Sequence, residues 1–140
     1  MPNHSVYRRQ AEKNENTAKA AQSGFFDWAV IMCFYAALHW VNDYAFRNNE
    51  MGKLEPSFYV DENGKKPSEH GARLRYVKRV ARRTGYMELE TAYKNLFAES
   101  MKARYLQGLE EEDCTAVDHY KTVGVQFCFD YLEKVKKGLP

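Results

Sequence analysis

Polar and apolar residues alternate at helical spacing along most of the chain. Between Val6 and Gln22 the residues are mainly Ala, Glu, Lys and Gln, good helix formers with a thin apolar stripe, which predicts a first helix packed on one side only. Gly24 ends it. Asp27 has the residue type of an N-cap, and the run from Trp28 to about Asn48 is apolar nearly all round. Trp28, Ile31, Met32, Tyr35, Leu38, Val41 and Phe46 fall on more than one face, so this second helix is expected to be the central and most buried one.

The stretch from Asn49 to Pro67 holds Gly52, Pro56, the pair Asn63-Gly64 and Pro67, all of which oppose helix. A structureless connection of that length is uncommon, so SFYV followed by DENG is expected to form a short hairpin. Pro67 and Ser68 mark a third helix, with Leu74, Val77 and Ala81 on one side and Gly85 at its end. A fourth is predicted from about Met87 to Leu106, with Leu89, Ala92, Tyr93, Leu96, Phe97 and Met101 at helical spacing. After Gly108, the acidic run Glu110 to Asp113 suits a helix N-terminus. A fifth helix is then expected from about Thr115 to Lys137, burying Val117, Tyr120, Val123, Phe127, Tyr131 and Val135 and ending in lysines before Gly138. The fold class is therefore all-α, an up-and-down bundle of four to five helices in a single domain over residues 1–140.

Composition narrows the function less than the fold. A hydrophobic share of 44% and an aromatic share of 14% exclude a disordered chain. Lys plus Arg number 21 against 19 Asp plus Glu, a net charge of +2, so clustering and not total charge must decide about polyanionic partners. Cys33, Cys114 and Cys128 have no CxxC pair and no metal-ligand spacing to a histidine, which predicts a reduced, cytoplasmic setting with no metal and no cofactor. No apolar run is long enough for a signal peptide or a membrane span, and no glycine loop of a nucleotide site occurs.

Three constellations carry chemistry. Between Gly71 and Gly85 lie Arg73, Arg75, Lys78, Arg79, Arg82 and Arg83 with no acidic residue among them. Arg75, Arg79, Arg82 and Arg83 sit on overlapping turns and form a candidate nucleic-acid face, or else a solvated face balanced by Glu110 to Asp113. Tyr35, His39 and Asp43 stack on one face at i, i+4 and i+8, so Asp43 could accept a hydrogen bond from His39 and raise its basicity for general-base work, or simply satisfy a half-buried histidine. His70 and Arg73 open the third helix, where free backbone N–H groups favour an anion, and Ser100, Arg104 and Tyr105 close the fourth.

At these residues the sequence resembles the HEPN superfamily of small helical bundles associated with nucleotides and RNA. The matching parts are Asp27-Trp28 with Phe34-Tyr35-Ala36-Ala37-Leu38-His39, then Pro67, His70 and Arg73, then Tyr93, Leu96, Ser100 and Ala103-Arg104-Tyr105, between about Ala18 and Leu106. The resemblance implies a bundle of four or five helices, a homodimer, and a partner protein encoded nearby in a defence or toxin–antitoxin system. Many members are metal-independent RNases with an Arg-x(4–6)-His element. Here no arginine is followed by a histidine at that spacing; downstream of Arg104 the only histidine is His119. The resulting expectation is a non-catalytic domain that binds a nucleotide or RNA phosphate through His70, Arg73, Arg104, Tyr105, Tyr35 and Asp43. The alternatives are an RNase of the same fold, with His39, His70 and Arg104 as its candidate catalytic groups, and a structural bundle without ligand.

Overall fold

The computed structural model describes residues 5–140, and there the periodic stretches become six α-helices: α1 (Val6–Ala21), α2 (Phe26–Arg47), α3 (Glu69–Thr84), α4 (Glu88–Tyr105), α5 (Ala116–Val123) and α6 (Gln126–Lys137). Helix, 3-10 turns included, accounts for 76% of the described residues and no strand occurs among them, far above the roughly one-third share of an ordinary domain, so the all-α class holds.

Ser5 starts the bundle. Its Oγ accepts from the Arg8 N–H at 3.1 Å, capping α1, and donates to Asp43 Oδ1 at 2.6 Å, which ties the start of α1 to the far half of α2. The two helices therefore run antiparallel, with Ala11, Ala18 and Ala21 providing a smooth face for close approach. Across the bundle, Glu15 of α1 pairs with Lys136 Nζ of α6 at 2.9 Å. The central role of α2 holds in its middle, where Val30, Cys33, Phe34, Ala36, Ala37 and Val41 are buried. Its ends differ from expectation, since Trp28 and Phe46 are 54% and 52% exposed. Asp27 is not the N-cap: Phe25 holds that position without a side-chain bond, and Asp27 lies in the first turn.

The connection from 49 to 67 contains no hairpin. Pro56 sets a backbone angle suited to a tight turn, and two 3-10 turns, Met51–Leu54 and Pro56–Tyr59, pack along α3. Asp61 then closes a loop by accepting from the N–H groups of Asn63 and Lys65. Glu50, at the head of this connection, is buried and holds it in place. It accepts from Arg83 Nη1 at 3.0 Å, Arg83 Nη2 at 2.9 Å, Lys53 Nζ at 2.7 Å and the Tyr76 hydroxyl at 3.0 Å. Arg83 Nη2 also reaches the Tyr44 hydroxyl at 3.1 Å, so this brace joins α2, the connection and α3.

Ser68 caps α3 by accepting from the Gly71 N–H, and Gly85 ends it in the left-handed region. The expected fifth helix is broken. Gly124 adopts φ +83° and ψ 172°, which ends α5 and turns the chain into α6. A glycine there removes the Cβ penalty that would otherwise keep the helix running. The acidic run forms a 3-10 turn, Glu110–Glu112, ahead of α5; Thr115 caps α5 instead, and Val123 is exposed. Lys134 lies beside Glu88, and Gly138 beside Leu89, so α6 runs antiparallel to α4. No helix among the described residues is long and apolar enough to cross a membrane.

Two predictions follow from this packing. A Cβ on Gly138 would meet Leu89 Cβ at 2.7 Å and the Tyr86 ring at 3.0 Å, whereas Gly52 has nothing within 4 Å. Gly138→Ala should lose about 1–3 kcal/mol in urea unfolding while Gly52→Ala changes little; equal effects would refute the close approach. The Arg83 hydrogen bonds, with those of Lys53 and Tyr76, hold the Glu50 carboxyl down at about 2 against an ordinary 4.5. A depressed carboxylate contributes stability fully above the unfolded value and loses it as pH falls toward the folded one. Glu50→Gln should therefore be less stable by about 1–3 kcal/mol at pH 7, with the gap closing between pH 4.5 and 2. A gap independent of pH would show that the charge does not matter.

Candidate functional site

Arg73 lies where α2, α3 and α4 meet. It is half-buried, its Nε donates to Asn42 Oδ1 at 3.3 Å, and no carboxylate lies within ion-pair distance among the described residues. Its guanidinium influences three neighbours: His39 of α2, His70 one turn earlier on α3, and Tyr93 of α4. Both histidines are held below the ordinary imidazole value, by burial first and by the Arg73 charge second. They are thus neutral at pH 7, which leaves Arg73 as the cation of the group.

His70 is held by aromatics. Its ring lies flat on Phe97 with centroids 3.4 Å apart and stacks on Tyr93 at 6.4 Å, while Phe34 meets it edge-on at 6.3 Å. His39 Nδ1 is buried and has no hydrogen-bond partner among the described residues, and the buried Tyr93 hydroxyl has Arg73 beside it. Burial pushes the Tyr93 hydroxyl up, and the charge and hydrogen bonding of Arg73 pull it partly back. On its other side Arg73 opens into a polar cleft of about 240 Å³, bounded by Tyr7 of α1, Asn42 of α2, Glu55 and Pro56 of the connection, and Glu69 of α3.

The remaining expected residues do not join this group. Asp43 is buried, accepts from Ser5 Oγ and from Arg47 Nε at 2.9 Å, and makes no bond to His39. The physical reason is competition, since Arg47 also stands one turn away and carries a full charge that neutral His39 lacks. Tyr35, Arg104 and Tyr105 form a second, exposed cluster: the Arg104 guanidinium sits 5.6 Å over the Tyr35 ring and 4.8 Å over the Tyr105 ring, and donates to the Tyr105 hydroxyl at 2.7 Å. Among the described residues the cluster makes no hydrogen bond to Arg73; it adjoins that group through Phe34, whose ring lies 5.5 Å from that of Tyr35 and 6.3 Å from that of His70. Ser100 donates to the Phe97 carbonyl at 2.7 Å and serves the helix.

The basic face of α3 is also divided. Arg83 is committed to Glu50, while Arg75 covers the Tyr59 ring at 5.7 Å and Arg79 the Phe58 ring at 5.3 Å. Lys78 and Arg82 are exposed and have no ion-pair partner among the described residues. The thiols offer no nucleophile on this side: burial pushes Cys33 up to about 12 and Cys128 up as well. No three His, Cys, Asp or Glu side chains cluster as a metal site requires among the described residues. Asn42 and Tyr93 belong to the group although sequence reasoning gave them no site role; the spacing of Asn42 three residues after His39 was the available signal.

In comparisons with protein-family models, curated proteins and solved structures, the chain has no match.

The geometry makes the two histidines reporters on Arg73. In Arg73→Gln the ring resonances of His39 and His70 should titrate at higher pH than in the parent, as followed by proton–carbon NMR. Unmoved titrations would place the guanidinium charge away from both rings.

Proposed function

We propose that the protein is a non-catalytic, HEPN-like helical domain that binds the phosphate of a nucleotide or RNA end at Arg73. The observation that supports this is a half-buried guanidinium that has no carboxylate within ion-pair distance among the described residues and that opens into a polar cleft of about 240 Å³. A guanidinium without a counter-charge at the wall of a polar cleft suits an oxyanion, which it can hold by charge-assisted hydrogen bonds. The lining of the cleft adds selectivity. Glu55 and Glu69 oppose a bare inorganic phosphate but accept hydrogen bonds from hydroxyl or amino groups, which a ribose phosphate carries.

The lowered histidines also favour binding over cleavage. Phosphodiester cleavage of the metal-independent kind needs one group to take a proton and another to give one. Two imidazoles held toward the neutral form are poorer proton donors than ordinary histidines.

Titration calorimetry with adenosine monophosphate tests the reading. The parent should bind it more tightly than inorganic phosphate, and Arg73→Gln should weaken the affinity by about tenfold to a hundredfold, the loss typical of a charge-assisted contact. Equal affinity for both anions, or an Arg73→Gln protein that binds as well as the parent, would overturn it. The same preparation should leave a single-stranded RNA intact without metal; cleavage that vanishes in a folded His70→Ala protein would favour the RNase reading.

A further inference from the structure

We propose that the outer face of α3, together with the aromatic turn Pro56–Tyr59, is a binding surface for single-stranded nucleic acid of either sugar. The inference goes beyond the phosphate cleft at Arg73 and does not need it.

Phe58 and Tyr59 present two rings at 80° to each other with centroids 4.9 Å apart, and Phe58 is 45% exposed. Lone exposed aromatics are ordinary, but here each ring carries an arginine from α3, Arg79 on Phe58 and Arg75 on Tyr59. Along the same helix face Lys78 and Arg82 extend the positive charge, free of any acidic partner among the described residues. Cations interleaved with aromatic rings are what an unpaired strand needs, because bases stack on the rings while guanidinium and ammonium groups hold the phosphates.

Geometry selects single strands over duplex. Beside Tyr59 and Arg75 lies a hollow of about 140 Å³ that is also bounded by Lys65, Lys66 and Pro67, which can take a base only when that base is unpaired. The acidic group in this hollow, Asp61, already accepts from two backbone N–H groups, and Glu62 is the other carboxylate of the turn. Arg83, one turn past Arg79, is excluded from the surface by its bond to Glu50. Stacking on rings does not distinguish ribose from deoxyribose.

Fluorescence anisotropy with a labelled eight-residue oligouridine, its DNA counterpart and a short duplex provides the test. The two single strands should bind alike, the duplex about tenfold or more weaker, and affinity should fall with salt with a log–log slope of about −2 to −3 for three or four phosphate contacts. Phe58→Ala should weaken strand binding by about fivefold or more while Phe58→Tyr retains it, both checked for parental helical signal. No strand binding by the parent, equal binding by Phe58→Ala, duplex bound as tightly as single strand, or displacement by polyglutamate as effective as by unlabelled strand would each overturn the proposal. Arg73→Gln separates the two readings: it should leave strand binding within about twofold, and if it abolishes strand binding while Phe58→Ala does not, the strand lies in the cleft and this surface is refuted.

Discussion

Glu50 is one carboxylate with donors from three directions, and the relation of α3 to α2 depends on it. Between the end of α2 and the last turn of α3, Arg83 forks onto both oxygens, Tyr76 approaches from the core side and Lys53 from the turn. A buried carboxylate left without these donors would be strongly destabilising, so the connection has to take the path that delivers Glu50 to Arg83. That path lays Pro56–Tyr59 along α3 and sets Pro56 and Glu55 at the mouth of the Arg73 cleft. The brace is thus the reason that a proline-containing connection, which makes no strand, still presents defined side chains on both of its edges.

Arg73 and Arg83 illustrate opposite uses of the same residue type on one helix. Arg83 is satisfied within the protein, and its planar fork matches a carboxylate. Arg73 has the side-chain oxygen of Asn42 and the Tyr93 hydroxyl beside it, no carboxylate within ion-pair distance among the described residues, and it adds to the burial that holds two nearby imidazoles toward their neutral forms. A charge kept half-buried without a counter-charge is costly to the fold, which sets Arg73 apart from Arg83.

Helical periodicity made α1 to α4 legible within a few residues, because each presents an apolar stripe bounded by Gly or by a capping serine. The break at Gly124 was not legible in this way: the apolar pattern continues through it from Tyr120 to Phe127, and periodicity does not report a single residue's left-handed backbone. The hairpin reading of the connection failed because its aromatic residues pack against arginines of α3 rather than against a second strand. At the site, the i, i+3 spacing located His70 and Arg73, which are local neighbours. Tyr93 and the separation of Arg83 from the basic face depend on contacts between residues far apart in the chain, Arg83 and Glu50 being 33 positions apart, and spacing rules carry no information at that range.

The elbow at Gly124 divides the C-terminal third into parts of unequal cohesion. An eight-residue helix has no stability of its own in water, and α5 is anchored chiefly by buried Tyr120, whose hydroxyl meets the Glu99 carbonyl at 3.1 Å and its carboxylate at 2.8 Å. Beyond the elbow, α6 is locked at its far end by Gly138 against Leu89 and by Lys136 against Glu15. The two helices are thus held by separate contacts on either side of Gly124. The span from Leu106 to Val125 holds to the core through few buried side chains, Leu109, Tyr120 and Val125 among them, while the Arg73 cleft is built from α1, α2, α3 and the connection, so the two share no element.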